Sequence, residues 1–201
     1  MREKIVEQAS ELFLNYGFKS VTMDDLAHKM AISKKTIYTH FKNKTQLVEA
    51  ATLYTFCHVS DGIDTIIALD KNPIEELYEI KRFVMQKLKD EKASPSYQLQ
   101  KYYPKIHNSL KDKQFEVMEG CIVNNIERGM AQGIYRTNLN VEFVSRIYFA
   151  GAYSIKDEVL FPNTLFSRAA LFDHYLEYHL RGIVTPKGRQ ILNTIINSNQ
   201  Q

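Results

Sequence analysis

The pattern that most limits the fold lies in the first 58 residues, where three helix-start signals follow one amphipathic helix. Ile5, Ala9, Leu12, Phe13 and Tyr16 recur at helical spacing, and Gly17 stops the run. Thr22 then supplies an N-cap with Asp25 three residues on, a capping box, ahead of a short helix carrying Leu26, Ala27 and Met30. Ser33 caps a second short helix, predicted to run from Lys34 to Phe41. Asn43 with Gln46 opens a longer exit helix carrying Leu47, Val48, Ala50, Ala51, Leu53, Tyr54 and Phe56. One long helix, two short helices joined by a tight turn and a long exit helix satisfy the requirements of a helix-turn-helix module.

Charge supports that reading only once it is located. The chain of 201 residues has a net charge of +3, which excludes no partner. Residues 1–58 carry 8 basic and 6 acidic residues, hardly more basic than the rest. Yet Leu26 to Val48 hold five lysines (29, 34, 35, 42 and 44), His28 and His40, and no carboxylate. Lysine runs alone are usually solvated faces. This one coincides with the second short helix and the start of the next, where a helix-turn-helix enters the major groove and grips phosphate.

The remainder reads as helical, broken at Asn72-Pro73, Ser94-Pro95-Ser96, Gly133, Phe161-Pro162-Asn163 and Thr185-Pro186. Helical periodicity links Leu77, Ile80, Val84 and Leu88; then Val117, Cys121 and Ile122; then Val141, Val144, Tyr148, Ala152, Ile155 and Val159. No stretch sustains strict alternation, so the expected class is all-α without a sheet. The segment Leu165–Arg181 is apolar around most of its circumference, with Leu165, Ala169, Phe172, Leu176 and Leu180 on one stripe and Leu171, Tyr175 and Tyr178 on another. Such a helix is buried on two sides, either against a partner chain or as a central core helix of a monomer. The expected division is a DNA-binding domain at 1–46 and a larger helical domain at 47–201.

Two cysteines, Cys57 and Cys121, without a secretory leader pattern point to a reducing cytoplasm. No apolar run approaches the ~20 residues of a membrane span. Neither a Gly-rich phosphate loop, a Cys/His metal set nor a nucleophile elbow occurs, so no cofactor, metal or catalytic residue is expected. An enzyme would have to draw on Asp61, Asp64, His58, His107, His174, Glu177 and His179. His174 and His179 lie about 140° apart around a helix, which suits no shared metal.

Residues 5–54, with Gly17, Thr22, Met23, Leu26, Ala27, Ser33, Thr36, Ile37, Tyr38, His40, Phe41, Lys44 and Leu47, resemble the N-terminal domain of TetR/AcrR-type transcriptional regulators. The run Ser33-Lys-Lys-Thr-Ile-Tyr-Thr-His-Phe-Lys-Asn-Lys is its most specific part. Further on the likeness is weak, resting on Gly133-Ile134-Tyr135 and the run from Gly182 to Gly188. The resemblance implies a homodimeric repressor on a palindromic operator, released when a small molecule enters the C-terminal domain. Carried over, Thr22 and Tyr38 would contact phosphate, His40 would end the reading helix, and Lys44 would hold phosphate at the next helix start, a role that helix-terminus electrostatics also favours. Lys34, Lys35 and Thr36 are candidates for base edges, with Ser33, Thr39 and Lys42 beside them. Tyr38 could equally be a packing residue and His40 a solvated helix-end histidine. Two departures stand out: Ala31 where many members have Gly, and Lys35 where many have a small residue.

An effector pocket would draw on Phe83, Tyr102, Tyr103, His107, Met118, Cys121, Tyr148 and Phe149, which suit an apolar or aromatic ligand. A dimer surface would draw on Val144, Tyr148, Ala152, Phe172, Tyr175, Leu176 and His179. The rival to a regulator is a small-molecule binder or adaptor that keeps the helix-turn-helix as a structural remnant.

Overall fold

The computed structural model describes residues 1–88, 95–162 and 164–198; the expected breaks at Ser94 and Asn163 lie outside them. Helices α1 (Arg2–Tyr16), α2 (Met23–Lys29), α3 (Lys34–Tyr38), α4 (Lys44–Ile67), α5 (Pro73–Leu88), α6 (Pro95–Tyr102), α7 (Pro104–Ala131), α8 (Val141–Ser154), α9 (Arg168–Ile183) and α10 (Pro186–Ser198) follow in order. The chain is all-α, and among the described residues the only extended pairing is an isolated bridge between Tyr135 and Val184. Two compact units form: Met1–Gly62 with Gln86–Gln114, and Ile63–Met85 with Phe115–Gln201.

In the first unit the apolar stripe of α1 places Ile5, Val6, Ala9, Leu12 and Phe13 in a core shared with Leu26, Ala27, Ile37, Leu47, Val48 and Ala51. The Ser10 hydroxyl donates to Val6 O at 2.8 Å, and lies 3.2 Å from Ala51 O, tying α1 to α4. Gly17 closes α1 at φ 83°, a region an L side chain rarely adopts, and a Cβ there would lie 2.3 Å from the Gln98 amide. Leu99 of α6 completes this core, with Tyr103, Ile106 and Leu110 packed against it. That non-local closure is not encoded in the local pattern of residues 1–58.

The second unit is organised by a buried polar chain. The Asn125 amide donates to Pro73 O at 2.9 Å and to Glu76 Oε1 at 2.7 Å, and the Tyr135 hydroxyl donates to Asn125 Oδ1 at 3.1 Å. Arg128 pairs with Glu76, whose side chain is almost wholly buried. Removing the arginine would leave that carboxylate unpaired, a loss of about 3–5 kcal/mol. Burial raises the Tyr135 hydroxyl pKa far above its ordinary value, reinforced by the nearby Glu76 charge. The two C-terminal runs singled out in the sequence meet here, through Thr185 N–H to Ile134 O and Arg136 N–H to Ile183 O, each 2.9 Å.

Three expected helices are shorter than the sequence predicts, the first being α3, which ends at Tyr38 rather than Phe41 with Thr39 as its C-cap. Helix α8 stops at Ser154 rather than reaching Val159, because the Asp157 carboxylate accepts from Val159 N–H at 2.8 Å and turns the chain; Val159 is 88% exposed. Helix α9 starts after Ser167, whose hydroxyl accepts from Ala170 N–H at 3.2 Å, so Leu165 falls in the preceding turn and is 74% exposed. The stripe drawn from Leu165 therefore begins inside the helix at Ala169.

Between α8 and α9, Tyr148, Tyr175 and His179 form a ring cluster, His179 standing 5.1 Å from Tyr148 and 6.0 Å from Tyr175. Burial lowers the His179 pKa to about 4. The unfolded chain takes up that proton near 6.5 and the folded one resists it until about 4, so stability is lost as pH falls through this window. Urea unfolding of wild type and His179→Phe should agree in pH trend above pH 7. Between pH 7 and 4.5 wild type should lose about 2–3 kcal/mol more than the variant.

Candidate nucleic-acid interface

Helix α3 has five residues, too few to persist alone, so its position depends on its anchor and cap. Ile37 is the anchor, fully buried in the first unit's core. The Ser33 hydroxyl accepts from Thr36 N–H at 3.0 Å and shares a 2.8 Å hydrogen bond with the Thr36 hydroxyl, while the Thr39 hydroxyl donates to Thr36 O at 2.6 Å. With Ile37 inward, Lys34, Lys35, Tyr38, Thr39 and His40 are exposed and Thr36 is half-buried.

The flanking helix starts are equally well defined. The Asp25 carboxylate accepts from Thr22 N–H and from the Thr22 hydroxyl, each at 2.7 Å, and the Thr22 hydroxyl accepts from Asp25 N–H at 3.1 Å, which makes the expected capping box. These hydrogen bonds from Thr22 hold the Asp25 carboxyl below its ordinary pKa. At α4, Asn43 Oδ1 accepts from Gln46 N–H and Gln46 Oε1 accepts from Lys42 N–H, both at 3.0 Å. Lys42 remains exposed. Lys44 is half-buried: its ammonium lies 3.4 Å from Lys19 O and 6.0 Å from the Phe13 ring centre. Burial lowers its pKa, partly offset by Asp25.

Not every lysine of the strip is equally available. Lys34 pairs with Asp24 at 2.7 Å and Lys29 with Glu11 at 3.0 Å. The turn between α2 and α3 places Ala31 at φ 52°. With Ala where many members of the family it resembles have Gly, the chain accepts the strain of a left-handed residue at this turn.

The remaining candidates divide between the units. Tyr102, Tyr103 and His107 belong to the first, where Tyr103 packs on the core and His107 is buried. Phe83, Met118, Cys121, Tyr148 and Phe149 belong to the second. Phe149 meets Phe115 at 5.1 Å and Tyr153 at 5.9 Å, and Met118 packs on the second core. Burial raises the Cys121 thiol pKa. Of the dimer candidates, Ala152, Leu176 and His179 are buried, whereas Val144, Tyr148, Phe172 and Tyr175 are half-buried. Also exposed on these two helices are Phe143 at 62% and Ile147 at 48%, which the sequence pattern left unassigned, and Tyr178 at 80%, although its stripe on α9 was expected to be buried. The signal for the first two was present, since Phe143 and Ile147 share an α8 face at i, i+4 spacing.

As to the enzyme candidates, His58 packs edge-on against Tyr54 at 4.2 Å, and Glu177 pairs with Arg181 at 2.7 Å. Among the described residues no three His, Cys, Asp or Glu side chains converge as metal ligands, and no helix is long and apolar enough to cross a membrane.

The geometry is that of a helix-turn-helix head followed by a helical body. The profile of bacterial regulatory proteins of the tetR family matches residues 5–51. The chain is 31% identical over 83 residues to IcaR, the negative regulator of the biofilm operon icaADBC from Staphylococcus aureus, covering 39% of this chain and 42% of that one. It thus spans about two fifths of that relative's length. With the repressor KstR2 of Mycolicibacterium smegmatis identity is 24% over 152 residues, 72% of each chain. The crystal structure of Thermus thermophilus FadR in complex with lauroyl-CoA shares the fold, with TM-score 0.60, 19% identity and coverage of 92% of this chain and 96% of that one. Residues 5–51 are thus similar to the DNA-binding part of the tetR family.

Replacing Ala31 by Gly should remove the cost of the left-handed turn. Denaturant unfolding should show a gain of about 0.5–1 kcal/mol with an unchanged m-value; a loss would mean that the Ala31 methyl contributes more through packing than its φ costs.

Proposed function

We propose that the chain is a transcriptional regulator, a repressor, that binds a palindromic operator as a homodimer and is released by a small-molecule effector. The observation that carries this reading is α3 itself. Anchored by Ile37 and capped by Ser33, the helix turns Lys34, Lys35 and Tyr38 outward, between two helix starts at Thr22 and Lys44 whose backbone N–H groups favour anions. We assign 1–46 to DNA binding and 47–201 to effector binding and dimerisation. Lys35, which has no carboxylate partner among the described residues, is the foremost base-reading candidate, with Lys34 and Thr36 beside it. Thr22, Ser33, Tyr38, Thr39, His40, Lys42 and Lys44 make the backbone contacts.

Dimerisation through α8 and α9 fits the exposed Phe143, Ile147 and Tyr178, apolar groups that a lone subunit leaves in water. A two-fold axis would set the two α3 helices about 34–36 Å apart, one duplex turn. An effector that prefers a different separation weakens DNA binding by its differential affinity, typically ~1–3 kcal/mol. The effector reading is an apolar or aromatic molecule held by aromatic and Met side chains such as Phe83, Met118, Tyr148 and Phe149, with Tyr102, Tyr103, His107 and Cys121 as further candidates. The lauroyl-CoA of the FadR complex carries an apolar acyl chain of that kind.

Binding to duplex DNA around its own gene, followed against salt, tests the regulator reading directly. Lys44→Ala should weaken binding to all sequences and reduce the slope of log K against log salt by about 0.9. Lys35→Ala should relax preference at one position per half-site; an equal loss on specific and random duplexes would remove its base-reading role. Absent or salt-independent binding would leave the binder or adaptor reading instead. For the dimer, Ile147→Glu should shift the sedimentation coefficient from dimer to monomer while leaving the helical circular-dichroism signal unchanged; a variant that stays dimeric would exclude this face.

A further inference from the structure

Absence of carboxylates within a lysine-bearing stretch first located the DNA-facing strip, and the same criterion picks out a second one. From Pro95 to Lys111 the chain carries Lys101, Lys105, Lys111 and His107, interleaved with Tyr97, Tyr102 and Tyr103, and no Asp or Glu. This stretch comprises α6 and the start of α7, and it belongs to the same compact unit as the helix-turn-helix.

Two exposed ammoniums lie over the tyrosine rings of this stretch. The Lys19 ammonium lies 5.3 Å from the Tyr102 ring centre, and the Lys101 ammonium lies 5.6 Å from both the Tyr102 and Tyr97 ring centres. Lys101 also donates to the Tyr97 hydroxyl at 3.5 Å, a bond that raises its pKa. Tyr102 and Tyr97 are themselves exposed. A ring face orders an ammonium without cancelling its charge. A carboxylate partner, such as the one Asp24 supplies to Lys34, does cancel it. The Lys19 and Lys101 amines are therefore both positioned and still positive.

The patch is also continuous with the helix starts that flank α3. Asp25, which closes the Thr22 cap, attracts Lys44. The Lys44 ammonium lies 3.4 Å from Lys19 O, and Lys19 N–H donates to Gln98 Oε1 of α6 at 2.9 Å. A chain of contacts thus runs from Lys44 through Lys19 to Gln98 and Tyr102 of α6 and so to Lys101, with Asp25 of the Thr22 cap acting on Lys44 through its charge.

Resting on the DNA-binding reading above, we infer that Lys19 and Lys101, held over Tyr102 and Tyr97, form a second phosphate-binding site that grips duplex DNA backbone flanking the bases read by α3. A duplex supplies the acceptors in number, presenting a phosphate roughly every 3.4 Å of axis along each strand. Regular phosphate rows need fixed point charges rather than base-specific donors, and lysines steadied by rings supply them. The site adds affinity and salt dependence without adding sequence preference.

The test uses the full chain and a recognised sequence obtained by in vitro selection from a random duplex pool. That sequence is presented twice, once trimmed to the selected bases and once extended by about one helical turn on each side. For Lys19→Ala/Lys101→Ala the slope of log K against log salt should fall by about 1.8 per bound subunit on the extended duplex and stay unchanged on the trimmed one. The Lys19→Arg/Lys101→Arg variant should restore the wild-type slope. Equal slopes for wild type and the double alanine variant on both duplexes, while Lys44→Ala lowers them, would overturn this site and leave the regulator reading standing. Failure of selection to yield any bound duplex would overturn both. Loss of binding to phosphatidylglycerol vesicles in the double alanine variant, with DNA slopes unaffected, would assign the patch to a lipid surface and overturn the inference.

Discussion

One buried isoleucine decides where α3 sits. Helix α3 has a single turn and a half of backbone hydrogen bonding, far below the length at which a helix holds itself together. Ile37 is its buried contact with the core formed by α1, α2 and α4, and the Ser33 cap fixes its first turn. Every exposed group on α3 takes its direction from that anchor. The same core fixes both flanking helix starts, because Leu26 of α2 and Leu47 and Val48 of α4 are buried in it. A rigid core under a short helix is what allows flexible lysine stems to present their charges from defined positions.

The second unit solves a different problem. Its core contains a carboxylate, an amide, a phenol and a guanidinium joined in one connected set through Glu76, Asn125, Tyr135 and Arg128. Isolated, each of these groups would be costly to bury; connected, they fix how α5 and α7 meet the segment around Tyr135. Such a network fits only one register, whereas apolar helices alone slide with little penalty. The bridge from Tyr135 to Val184 extends the constraint to the start of α10.

Local chemistry was readable in the sequence and non-local chemistry was not. The caps at Thr22, Ser33 and Asn43 involve side chains and N–H groups within three residues of one another, so they could be located from spacing alone. The ends of α8 and α9 were misjudged because apolar periodicity continues through Val159 and begins early at Leu165, while Asp157 and Ser167 set the actual boundaries. Placement of α6 could not be foreseen, since Leu99 and Gln98 meet partners some eighty residues away in sequence. Phe143 and Ile147 were passed over, and Tyr178 was expected to be buried, for a related reason: periodicity gives the apolar faces of α8 and α9 but not which of them the fold itself covers.

The closure of the first core by α6 has a consequence for modularity. Phe13, Phe18 and Leu47 share their core with Leu99, and Tyr103, Ile106 and Leu110 lie over it. A segment cut after the exit helix would leave those side chains facing water, so the head that carries α3 is not a detachable cassette. Exchanging it between relatives would mean carrying α6 and the start of α7 along, and drift in that later part of the chain is felt directly by the residues beneath the reading helix.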